Sequence, residues 1–298
     1  MKEKKESMFP KMRQTVEFNA FEWVVACVLK KRNARPIDFM TIPLTYNKTS
    51  DALSYQADLN RRPMRQVTRY SENFVNELAN YPQLHEDNIQ QVYLTGKNCS
   101  ITEVLQLNKG EDKLEAKGDV YALLKDGTWI GVSVKQDKKA TKSNYSVQSM
   151  FSHTDNLHLT QVKKQYLAEH GFLSFQKSQR YEVNRLFYQD NPYWCALKLG
   201  IQNYNTYIKT FLYDKLFASS LKYPLYEFDS RKLNLLSKEM SVVMLEEHEP
   251  YYYTKGNVRR NAAKLFYRLS VNEKQYRVEI RWKGNIFTAS PQFQIHEE

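Results

Sequence analysis

Asp119, Ser133 and Lys135 lie beside two apolar runs in the stretch 117–136. An ionised carboxylate gives a divalent cation the hard oxygen ligand it takes. A lysine held beside it can orient or deprotonate a water, or offset charge on a phosphate in a transition state. The three groups do this only if the backbone brings them to one place.

The stretch encodes a hairpin that does so. Apolar alternation predicts strands over 119–124 and 128–135, joined by a turn at Lys125-Asp126-Gly127. With a three-residue loop, Leu124 lies opposite Thr128, Val120 opposite Val132, and Ala122 opposite Ile130. Because side chains alternate, Asp119, Ser133 and Lys135 then emerge together at one end of the pair. A slip of one residue would set Asp119 against Val134, which the burial pattern disfavours.

Asp119, a hairpin, then Ser133-Val134-Lys135 resembles the PD-(D/E)XK nuclease superfamily, in particular the type II restriction endonucleases. Gly118 stands where that pattern often has Pro, and Ser133 stands where it has a second acid. The resemblance implies a Mg2+-dependent endonuclease acting on double-stranded DNA. In it Asp119 is a metal ligand, Lys135 is the catalytic lysine, and Ser133 occupies a catalytic position without the usual carboxylate. The missing acid then comes from elsewhere. Glu77 is one candidate, since such enzymes often set a helical glutamate near the metal, and Glu115, close to Asp119 in sequence, is another. Residues 140–147 and the C-terminal run through Phe293 also resemble segments of these enzymes. Cutting both strands of a palindrome implies a homodimer.

Composition agrees with a polyanionic partner. The 298 residues hold 44 Lys and Arg against 33 Asp and Glu, a net +11 with pI near 9.3. Apolar runs long enough for a membrane span are missing, and the charged N-terminus lacks the apolar segment of a signal peptide. Cys27, Cys99 and Cys195 have no metal-ligand spacing, so reduced thiols in a cytoplasm are expected. His153 and His158 read as surface histidines.

Along the chain, apolar periodicity predicts helices over 14–31 and 66–80, the second burying Val67, Tyr70, Phe74 and Leu78. Residues 33–66, with Pro36, Pro43 and Pro63, read as irregular. After the hairpin, Lys138, Lys139, Lys142 and Asn144 combine charge with short hydrogen-bonding groups, which suits a phosphate backbone. Helices are expected through 146–219. Strands at 264–271, 275–283 and 286–296 form a meander whose outer face carries Arg277, Arg281 and Lys283. That face reads either as a DNA-contacting surface or as a solvated one. The expected architecture is a single α/β unit, 1–298, with a restriction-endonuclease-like mixed sheet between helices and a β-rich subdomain at 256–298. Two other functions stay open: a non-catalytic DNA-binding protein, and an RNA-processing nuclease with the same metal site.

Overall fold

The computed structural model describes residues 19–96, 99–107, 118–136, 141–187, 191–217, 221–236, 243–247, 253–255, 258–260, 264–271, 274–282 and 285–298. The chain forms two compact units, one from residues 1–136 and 222–235, the other from 137–221 and 236–298. Two units replace the expected single one. The C-terminal meander is not self-contained, because its sheet also takes strands from before residue 147 and from 243–247.

The first unit is built on a mixed six-stranded sheet. Strands β1 (Thr45–Tyr46), β2 (Ile89–Leu94), β3 (Val120–Leu124) and β4 (Trp129–Val134) are followed in space by Leu225–Phe228 and Leu233–Leu235. The pairs β2/β3 and β3/β4 are antiparallel, while β4 runs parallel to Leu225–Phe228. A parallel neighbour demands a long crossover, and here residues 137–221 of the second unit lie in that connection, while 236–298 follow the first unit's last strand.

The hairpin has the expected register: Val120 faces Val132, Tyr121 faces Gly131, and Ala122 faces Ile130. Its turn closes by Leu124 N–H to Thr128 O at 2.8 Å and Gly127 N–H to Leu124 O at 3.0 Å. Gly127 has φ of 84°, a left-handed conformation that costs a glycine little. Gly131 matters for a different reason. A Cβ there would come within 2.9 Å of Leu225 Cδ1, so the strand face needs a residue without one.

Helices α1 (Ala20–Lys30), α2 (Thr49–Asn60) and α3 (Met64–Leu78) flank this sheet, and α4 (Thr102–Leu107) is a short helix between β2 and β3. In α1 every residue from Phe21 to Leu29 except Glu22 is buried. Helix α3 buries Val67, Tyr70, Phe74 and Leu78, the positions its periodicity predicts. Phe228, fully buried, packs its ring 4.9 Å from Tyr70 and 4.8 Å from Phe74. Phe228→Ala should therefore cost about 3–5 kcal/mol of unfolding free energy in denaturant titration. A cost under about 1 kcal/mol would contradict this packing.

The second unit has its own core and a five-stranded antiparallel sheet. Its order is Ser143–Ser146, Gln292–Glu297, Lys274–Arg281, Lys264–Val271 and Val243–Glu247. Helices His153–Glu169, Pro192–Asn203 and Asn205–Phe217 supply Leu159, Trp194, Leu197, Ile208 and Leu212 to a core shared with Leu269, Val278 and Phe293. No helix among the described residues is long and apolar enough to cross a membrane.

Candidate active site

The start of α1 is held from several sides. The Asn19 side chain accepts from Phe21 N–H at 3.2 Å. Asp58, on α2, accepts from Ala20 N–H at 2.9 Å and is ion-paired with Arg62 at 2.7 Å. The Arg62 guanidinium lies 4.4 Å over the Phe21 ring. Glu22 follows in the first turn, where the helix dipole favours a negative charge. The Tyr55 hydroxyl, buried on α2, donates to Glu22 Oε2 at 2.7 Å.

The hairpin delivers the other groups to the same place. Asp119 Oδ2 accepts from Val134 N–H at 2.7 Å and from the Ser133 hydroxyl at 3.4 Å. Ser133 thus holds Asp119, and Glu227 lies opposite it in register on the next strand. Lys135 is clamped through its backbone: its N–H donates to Phe228 O at 2.8 Å, and its carbonyl accepts from the Tyr70 hydroxyl at 2.8 Å. The Tyr70 ring stacks on Phe21 at 4.0 Å. One buried aromatic therefore links the lysine's backbone to the residue beside Glu22.

Electrostatics tie Glu22, Asp119 and Lys135 together. Burial pushes the Glu22 carboxyl well above the usual carboxylate range, and the Asp119 charge adds to this, while Tyr55 and Lys135 oppose it. Burial also raises Asp119, against the lowering effect of Lys135 and of the hydrogen bonds from Val134 and Ser133. Two carboxylates crowd one cation, so an uncompensated negative charge remains when both ionise. All three residues are half-buried, which leaves surface for an incoming ion or phosphate. Glu22 Oε1 and Asp119 Oδ1 accept no hydrogen bond among the described residues.

This donor set fits a divalent hard cation. Among the described residues no three acidic, histidine or cysteine side chains converge as a metal cage. Mg2+ needs no such cage; it keeps waters and binds through one or two carboxylates plus substrate phosphates. Glu22 and Asp119 would supply those two, and a bound dication would relieve their repulsion.

Glu22, the acid whose charge is felt with that of Asp119, is a residue that sequence reasoning missed. Glu77, the expected helical glutamate, instead accepts from Leu233 N–H at 2.9 Å and ties α3 to the edge strand. It lies two helical turns beyond Tyr70, about 10 Å along the axis. Glu115 falls outside the described residues, as do Lys138, Lys139 and Lys283. The signal for Glu22 was its isolation, the one acid in a run of apolar residues at a helix start.

The expected DNA contacts change more. Lys142 is not on an open loop. Its N–H donates to Ile295 O at 2.8 Å, and its ammonium, with the side chain 6% exposed, lies 3.4 Å from Glu297. The outer face of the meander is not uniformly basic either. Glu279 sits centrally, 3.0 Å from Lys264 and 3.3 Å from Arg281. Arg268 approaches Glu298 at 3.8 Å. Arg277, half-buried, faces Arg268 and His296 across its two neighbouring strands, and Asn144 is exposed at the sheet edge. Much of the cationic face is matched by its own acids.

A pH dependence follows from the raised carboxyls. With folded pKa values above their unfolded ones, these groups bind protons more tightly in the native state. Their contribution is fully present below the unfolded carboxylate pKa and is lost as pH rises through the raised folded value. Metal-free protein should then gain Tm from Glu22→Gln at about pH 7.5, by about 2–4 °C per kcal/mol of relieved repulsion. The gain should shrink as pH falls and the carboxyls take up protons. A variant equally destabilised at both pH values would refute this electrostatic account.

Comparison of the chain with protein-family models, with curated proteins and with solved structures gave no match.

Proposed function

We propose that this protein is a Mg2+-dependent endonuclease that hydrolyses phosphodiesters of double-stranded DNA, in the manner of a PD-(D/E)XK type II restriction enzyme. The supporting observation is that Glu22, from a helix far away in sequence, lies near enough to Asp119 and Lys135 for their charges to act on its carboxyl. The acid missing at position 133 is thereby replaced from α1.

In this reading Glu22 and Asp119 hold the metal, with Tyr55 and Ser133 fixing one oxygen of each. A divalent ion bound there supplies positive charge to a phosphoryl oxygen and acidifies water. Lys135 brings its ammonium to the scissile phosphate, where it orients the nucleophile or offsets developing charge. The clamp on its backbone limits the freedom of that side chain at its root. Symmetric cutting would use two copies of the chain.

Incubation with a long plasmid and Mg2+ tests the reading. Discrete bands support a site-specific enzyme and a smear supports a non-specific nuclease. Ser133 in place of an acid favours a second reading, non-catalytic DNA binding, for which the plasmid would stay intact but run retarded. RNA cleaved in preference to duplex DNA would indicate the RNA-processing alternative.

Affinity for DNA should also fall as salt rises, since Lys and Arg side chains release counterions from the phosphates they neutralise. Lys138→Ala and Lys139→Ala should each reduce the slope of log K against log salt by about 0.9, the effect of one phosphate left unneutralised. An unchanged slope in the double variant would remove that segment from the interface.

A further inference from the structure

The second unit contains a cleft whose lining has no part in the site above. Phe175, Arg180, Val183, Asn184, Asn285 and Ile286 enclose about 170 Å³. Val183 and Ile286 form a buried apolar floor. Phe175, 44% exposed, is set edge-to-face against Phe287 at 5.9 Å and presents aromatic surface at the rim. Leu173 and Tyr181 nearby in the chain are also exposed, and exposed apolar groups with polar neighbours mark interaction surfaces.

The polar groups of the cleft narrow the ligand. The Asn285 side-chain oxygen accepts from Phe287 N–H at 3.0 Å, which fixes the carboxamide and leaves its NH2 to donate. The Asn184 and Arg180 side chains make no hydrogen bond or ion pair among the described residues, and Arg180 is exposed. The cleft thus combines an aromatic wall, one carboxamide that donates and accepts and one that donates, an apolar floor and a cation at the mouth. A planar heterocycle with hydrogen-bonding edges and an attached phosphate matches each of these. The volume admits one such ring and excludes a base pair.

We propose that this cleft binds a single unstacked nucleobase of a nucleic-acid strand. Phe175 stacks on the base, Asn184 and Asn285 read its edge, and Arg180 contacts the adjoining phosphate. The proposal rests on the nucleic-acid reading of the protein but not on cleavage, because its residues lie outside the carboxylate site.

The test compares two fluorescently labelled single-stranded oligonucleotides by anisotropy, in EDTA so that metal-dependent cleavage cannot occur. One has normal bases, and the other has the same phosphates with abasic sites throughout. The full-length protein should bind the normal strand about tenfold or more tightly, the scale of one base stacked on an aromatic ring. Phe175→Ala and Asn184→Ala should each shrink that preference, while binding to the abasic strand stays unchanged. Circular dichroism checks folding, and both side chains reach the surface, so both substitutions should be tolerated. Equal affinity of the wild type for both strands, or a preference that survives both substitutions, overturns the proposal. Displacement of the strand by free nucleoside monophosphate at equal base concentration would also overturn it, assigning the cleft to a free nucleotide. Failure of the cleavage reading appears separately, as a plasmid left intact by Mg2+ while the base preference persists.

Discussion

Glu22→Gln and Asp119→Asn are each expected to reduce Mg2+-dependent DNA cleavage by at least about 10²–10³-fold, the loss seen when one preorganised charge-stabilising group is removed. Both substitutions keep shape and hydrogen-bonding capacity. A Gln at 22 can still accept from the Tyr55 hydroxyl, and an Asn oxygen at 119 can still accept from Val134 N–H. What each removes is a negative charge at a site where two carboxylates share one lysine. Fold damage and loss of metal binding therefore separate. Glu22→Gln should leave Tm in EDTA at or above the wild-type value, and the Tm increase produced by Mg2+ should disappear. Unimpaired cleavage in both variants would place the chemistry elsewhere.

Lys135→Ala should cost a similar factor in kcat, with a different signature. Its backbone hydrogen bonds to Phe228 and Tyr70 remain in the variant, so strand geometry is retained. Metal binding should tighten or stay the same, because a neighbouring cation is removed from beside Glu22 and Asp119. DNA binding should survive, since one ammonium is a small share of a phosphate interface. A variant that cleaves normally, or that loses metal binding along with activity, would show that Lys135 does not act on the phosphate. Ser133→Glu adds an acid beside Asp119. Its effect on activity reports whether Glu22 already fills the second ligand position.

Much of this site could be read from the sequence where one rule governed the residues. The hairpin register followed from apolar alternation and a glycine suited to the turn, and Val120 does face Val132. The buried face of α3 followed from its periodicity, and the strand Lys264–Val271 kept its predicted bounds. Glu22 was hidden because α1 is buried on nearly every side. Periodicity then identifies no polar face, and a lone acid in a first turn reads as a dipole partner.

Helix α2 was missed for the opposite reason. Its inward positions are Asp51, Tyr55 and Asp58, while Leu53 is 67% exposed, so its polar and apolar faces are inverted relative to an ordinary surface helix. That inversion is what supplies Tyr55 to Glu22 and Asp58 to the start of α1. Local rules fail most where a chain sets polar groups inward for function. The outer sheet face stayed open between DNA contact and solvent because alternation gives the face of Arg277 and Arg281 but not the neighbours that neutralise it. Glu279 lies on that same face beside Lys264 and Arg281, and Glu298 approaches Arg268 from the C-terminus.

The most direct test of Glu22 and Asp119 as the metal ligands of a phosphodiesterase is calorimetric titration of Mg2+ into the wild type and Glu22→Gln, run beside plasmid cleavage by the same preparations. The wild type should bind the ion and cut the plasmid, while Glu22→Gln, folded with Tm at least as high, should do neither. Wild-type cleavage without measurable dependence on Mg2+, or full binding and cleavage by Glu22→Gln, would contradict the account.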